Sequence, residues 1–265
     1  MTESTNSFGL FKDYYDHLVN IIDAYDGIIK DLYAADFGSK YQDPTNGMSS
    51  SYLIKHDELY RKKYIERVIY DTLSEFVNFT DTSLFASGNR KHSVAFALLR
   101  KPFREILDAW IFLVVDANFY VENLFDNPDK IDVSNYKIRK ALREKIKDTS
   151  AFSSRGFDDY QYSTAYKLRY STDEELSLSK LMTQANHLLT TSKGQESSSG
   201  TLNFVHFTEL QEKPLWNIYY KSLYSLLIHA SHILIILIEK HAPKFSSPNL
   251  ERLYDLTWRI EKVFE

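Results

Sequence analysis

Arg100, Arg104 and Asp108 recur at four-residue steps, with Glu105 beside them. On a helix this spacing sets two guanidiniums and a carboxylate on one face. Guanidinium binds phosphate bidentately, so Arg100 and Arg104 are candidate phosphate ligands. Unpaired buried charge is costly, so the same residues also read as an internal ion-pair lattice with Asp108, Glu105 or a facing helix. Further on, Lys137, Arg139, Lys140, Arg143, Lys145 and Lys147 are countered within their segment only by Glu144. Such a face can lie along a phosphate backbone, with Lys137, Lys140, Arg143 and Lys147 as the candidate nucleic-acid contacts. A solvated helix face is the alternative. Ser222, Ser225, His229 and His232 share one face of the most apolar segment. Two histidines one turn apart can hold a metal or carry a proton. No carboxylate lies close in sequence, and hydrogen bonds across a helical bundle or a subunit interface would also account for the stripe. His187 and His206 flank a Ser-rich stretch, where His187 could act as a proton carrier or simply interact with a helix end.

Other chemistries are excluded. The chain has no cysteine, which removes disulfides, thiol nucleophiles and cysteine-held zinc. It has no Gly-rich phosphate loop, no His-Glu-x-x-His and no Gly-x-Ser-x-Gly, and no cofactor is expected. A net charge of −4 over 265 residues gives the whole molecule no bias toward polyanions, so only local charge can identify a partner. The first twenty residues lack a basic start followed by an apolar core, and a cytoplasmic location is expected. The most apolar run, Leu226 to Ile238, is shorter than the roughly 20 residues of a membrane span and contains two histidines, so a core helix rather than a membrane segment is expected.

The elements that would carry these residues are helices. Charged residues make up 26% and apolar ones 43%, the balance of a globular chain. With 19 Tyr and 17 Phe against 8 Gly and 6 Pro, breakers are few and bulky side chains many. Apolar residues recur at three- and four-residue steps over about 8–35, 51–79, 91–118, 134–148, 158–170, 172–188 and 214–241, with a last amphipathic helix after Ser247-Pro248. Thr172 and Glu175 form a capping box. Pro102 should kink the third helix near Leu98–Pro102, or divide it into two abutting helices, because its ring clashes with the carbonyl four residues earlier. Thr80 to Asn89 reads as a loop, and residues near 36–50 and 191–202 as flexible loops. Leu202 to Phe207 could be extended. The expected architecture is one all-α domain over 1–265, a bundle of long antiparallel helices with a proline-kinked central helix.

The segment Ser93-Val-Ala-Phe-Ala-Leu-Leu-Arg100-Lys-Pro102-Phe-Arg-Glu105-Ile-Leu resembles a helix found in HEPN proteins, the higher-eukaryote and prokaryote nucleotide-binding group. Asn186-His187-Leu-Leu-Thr-Thr and Leu202-Asn-Phe-Val, followed by a long apolar helix, add to the likeness. The resemblance implies a helical bundle, often dimeric, acting in phage defence, toxin–antitoxin pairs or RNA cleavage. Active members carry Arg, four to six residues, then His. No arginine here has that spacing, and the nearest pair, Lys180 and His187, puts lysine where arginine belongs. The resemblance therefore points to binding of RNA, a nucleotide or a protein partner rather than to standard metal-independent cleavage. Any cleavage would rest on Arg100 or Arg104 for phosphate and His187 for the proton. Two other classes of function are a structural or regulatory bundle working through subunit interfaces, and a metal-assisted hydrolase built on His229 and His232.

Overall fold

The computed structural model describes residues 11–38, 48–147, 159–171, 177–185 and 209–258, all helical or in connecting turns. The expectations for His187, His206, the Thr172 capping box, the extended segment 202–207 and the loop 191–202 lie outside these residues.

Helix α1, Lys12–Ala34, buries Leu18, Ile21, Ile22, Tyr25, Ile28 and Leu32, the stripe that its spacing requires. Where one long helix was expected over 51–79, Asp57 divides two: α2, Ser50–His56, and α3, Glu58–Gly88. Asp57 is extended, and its carboxylate accepts the N–H of Tyr60 at 3.0 Å, a cap that starts α3.

Helix α3 also runs through 80–88, where a loop was expected. The small polar residues there serve close packing instead. Thr80 Oγ1 returns to the Phe76 carbonyl at 2.7 Å. Ser83 Oγ meets both the Ala95 carbonyl and the Tyr219 hydroxyl at 2.7 Å. Ser87 Oγ meets the Tyr220 hydroxyl at 3.0 Å. Small side chains let α3 approach its neighbours, and their hydroxyls satisfy buried tyrosines.

Pro102 lies at the start of a π-helical turn, Lys101–Ile106, that joins α4, His92–Leu98, to α5, Leu107–Asp126. The proline is absorbed by this wider turn, which tolerates a missing i→i−4 bond. The helix breaks further on, at Asp116 (φ −156°, ψ 85°), which the sequence reading did not anticipate. Asp116 Oδ1 accepts the Phe119 N–H at 3.0 Å and so caps the second half of α5. Lys240 Nζ donates at 2.8 Å to the Val114 carbonyl at the end of the first half.

After α6, Tyr136–Lys147, come α7, Asp159–Tyr170, α8, Leu178–Ala185, α9, Glu209–His241, and α10, Pro248–Trp258. Helix α9 begins five residues before Pro214, its expected start, so the proline forfeits only one early backbone bond. It packs on α1, α5, α7 and α10, and Leu223, Leu226, Leu227, Ala230, Ile233, Leu234, Leu237 and Ile238 are fully buried. Each such leucine or isoleucine contributes about 1.5–3 kcal/mol relative to exposure. Glu212–His241 is long and apolar enough to cross a membrane by length and composition, beyond what the sequence reading allowed, and 83% of its apolar window is buried inside the protein. Gly27 of α1 allows α10 to seat, since a Cβ there would lie 2.3 Å from Asn249 Cγ.

Candidate functional site

The arginines of the π-turn segment do not form the ion-pair row that their spacing allowed. Asp108 turns away from Arg104 and pairs with Arg169 at the end of α7. Both side chains are almost completely buried, Arg169 at 1% and Asp108 at 5% exposed. Arg169 also donates to the Phe103 carbonyl. The other carboxylate oxygen of Asp108 accepts from the Tyr170 hydroxyl. Burial opposes charge on Arg169, but Asp108 and the Tyr170 and Tyr162 phenols outweigh it and hold the pKa above the ordinary arginine value. The signal in sequence was a charge in a core position: Tyr162, Ala165 and Arg169 share one face of α7.

Arg104 lies above this pair. Its Nε donates to the Arg169 carbonyl at 3.0 Å, and Nη2 donates to the carbonyl (3.1 Å) and hydroxyl of Ser179. It therefore ties the end of α7 to the start of α8. Burial pulls its pKa down to about 10; Tyr170 opposes this, and the like charges of Arg100, Arg169 and Arg139 add to it. The lowering comes first from burial, which disfavours the charged form.

Arg100, Arg104 and Arg139 line one cleft of about 470 Å3 with Glu105, Asp132, Val133, Ser134, Tyr170 and Ser179. Ligand pockets commonly fall in the range of roughly 300–1,000 Å3. Arg100 is exposed, and among the described residues no side-chain hydrogen bond or ion pair involves Arg100 or Glu105. Arg139 reaches in from α6. Its guanidinium lies 4.5 Å from the Tyr170 ring centre, and its Nη1 holds the Ser134 carbonyl at 2.7 Å. Among the described residues the buried Arg139 Nε has no hydrogen-bond partner. Asp132 is tied to the Ser134 N–H at 2.8 Å and hydroxyl at 2.7 Å, contacts that hold its pKa below the usual carboxylate value. The lining carries three guanidiniums against two carboxylates. The arrangement can hold an anion.

The remaining candidates are dispersed. Lys137 and Lys140 are exposed on α6, and Lys147 is half-buried. Arg143 turns inward, donating to Ser163 Oγ at 2.9 Å and lying 5.0 Å from the Tyr166 ring centre. So α6 presents lysines to solvent while its arginines pack on α7. His229 and His232 are buried in α9, with His229 edge-on to Tyr162 at 5.3 Å. Burial, Arg169 and His232 push the His229 pKa well down, so this imidazole is neutral at pH 7. Among the described residues no group of three or more His, Asp or Glu is placed to hold a metal.

Sequence reasoning missed Tyr170, Ser179 and Arg169, and grouped Arg139 with the solvent face of its helix. It also missed a second buried polar cluster. There Glu212 of α9 bonds His92 Nε2 at 3.2 Å and pairs with Arg90, and His92 stacks on Trp216 at 4.3 Å. Comparison with models of protein families, with characterised proteins and with solved structures finds no match.

Proposed function

We propose that this is a HEPN-like helical protein that binds RNA or a nucleotide, holding a phosphate in the cleft of Arg100, Arg104 and Arg139. The supporting observation is the convergence of these three guanidiniums from two segments, with the nearest buried carboxylate, Asp108, already committed to Arg169. Arg100 and Arg139 take the phosphate. Arg104, whose donors hold backbone and serine oxygens, supplies charge and fixes the wall. The exposed Lys137 and Lys140 extend the positive surface along α6 for a longer strand. By its resemblance, the setting is bacterial phage defence or a toxin–antitoxin pair, and the role is recognition rather than cleavage.

The test is fluorescence polarisation of a labelled RNA oligonucleotide at low and raised salt. Log affinity should fall linearly with log salt, by about 0.7 per phosphate neutralised. A hydrogen bond to a charged group contributes about 1.5–3 kcal/mol, so Arg100→Ala and Arg139→Ala should each weaken binding roughly 10- to 100-fold. Charge reversal at Lys140 should reduce the salt slope. Undiminished binding by both arginine variants would reject the cleft as the site.

A further inference from the structure

The cleft is not uniformly basic, and its acidic members bear on what it holds. Glu105 stands on the same π-turn as Arg104, exposed, and no partner among the described residues takes its carboxylate. Asp132 lines the same cleft, just before α6. A site for a bare polyanion gains nothing from carboxylates, which repel phosphate. A site for a ligand that joins phosphate to neutral hydroxyl donors uses both. Guanidiniums take the phosphate oxygens, while an ionised carboxylate, an acceptor only, takes O–H donors. Carboxylates hold the ribose hydroxyl in this way in dinucleotide-binding folds. The charge supply has the same meaning. A terminal phosphate monoester carries about −1.5 to −2 at pH 7, whereas a bridging diester carries a single charge. Three guanidiniums around one cleft of about 470 Å3 exceed what one diester needs, and that space admits a single nucleotide rather than a duplex.

Resting on the binding function proposed above, we infer that the cleft recognises a ribonucleoside monophosphate, with Arg100 and Arg139 on the terminal phosphate and Glu105 on a ribose hydroxyl. The same chemistry is offered by a free nucleotide and by the 5′-phosphorylated end of an RNA strand.

The experiment uses the full chain and 3′-labelled RNA decamers of one sequence, with a 5′-phosphate, a 5′-hydroxyl, or a 5′-phosphate on a 2′-deoxy first residue. Adenosine 5′-monophosphate and inorganic phosphate serve as competitors. The 5′-phosphate decamer should bind at least tenfold more tightly than the 5′-hydroxyl form, and the 2′-deoxy form should lose severalfold. Competition by the mononucleotide at a concentration near its own affinity for the protein identifies the free nucleotide as a sufficient ligand. Competition only at far higher concentration identifies the strand end. Glu105→Gln should bring the ribo and deoxy forms within about twofold while keeping the phosphate preference, and Arg100→Ala, a change at an exposed position, should abolish that preference. Equal binding of the 5′-phosphate and 5′-hydroxyl decamers would overturn this inference and leave RNA binding standing. No binding of any RNA or nucleotide would overturn both.

Discussion

Removing the Asp108 carboxylate tests the buried ion pair to which Arg104 and Tyr170 of the cleft lining are hydrogen-bonded. Arg169 is 1% exposed, and Asp108 is its only carboxylate partner among the described residues. Asp108→Ala leaves a guanidinium buried without its counter-charge and removes the nearer acceptor of the Tyr170 hydroxyl, leaving it the Arg104 carbonyl at 3.4 Å. Breaking a buried pair from one side costs about 3–5 kcal/mol, a large part of the roughly 5–15 kcal/mol that holds a typical domain folded. At about 2–4 °C per kcal/mol for a chain of this size, Tm should fall by roughly 6–20 °C. Circular dichroism followed through thermal and urea unfolding reads both quantities. The double variant Asp108→Leu with Arg169→Met removes both charges and both desolvation costs, and it should recover at least about 2 kcal/mol of the single-variant loss. If Asp108→Ala costs under about 1 kcal/mol, or if the double variant is no better than the single, the buried pair does not hold these helices as argued.

Acidification should destabilise the protein. The folded pKa of His229 is depressed by burial, Arg169 and His232, and His17, His92 and His241 are lowered by burial in the same direction. The unfolded chain then binds protons first, so stability is flat above the ordinary histidine pKa near 6.5 and falls below it, by on the order of 1 kcal/mol for His229 alone at pH 5.5. Urea midpoints at pH 7.5 and 5.5 measure this. His229→Gln should flatten the difference, and an unchanged midpoint in the parent protein would contradict the burial. Asp116→Ala should cost about 1 kcal/mol by loss of the cap on the second half of α5, with Asp116→Asn retaining most of it. Equal urea midpoints for the Ala variant and the parent would show that the Phe119 N–H does not depend on that carboxylate.

The helices with a single apolar stripe were legible in the sequence. For α1, the recurrence of Leu18, Ile21, Tyr25, Ile28 and Leu32 dictates both the helix and its buried face. Local punctuation was less so. Asp57 and Asp116 interrupt helical patterns without glycine or proline, because a carboxylate that caps a backbone N–H compensates for the lost helical bond. The run Thr80–Gly88 has the composition of a loop, yet its hydroxyls face tyrosines more than 130 residues away. The site divides along the same line. The spacing of Arg100 and Arg104 placed them on one helix face, and both line the cleft. It could not assign the partner of Asp108, because Arg169 lies 61 residues on. Nor could it separate Arg139 from the lysines around it. Periodicity reports which face of a helix is apolar, since that depends on residues three or four apart. Which guanidinium meets a carboxylate and which is left lining a cleft depends on contacts between helices, and only the tertiary packing decided that.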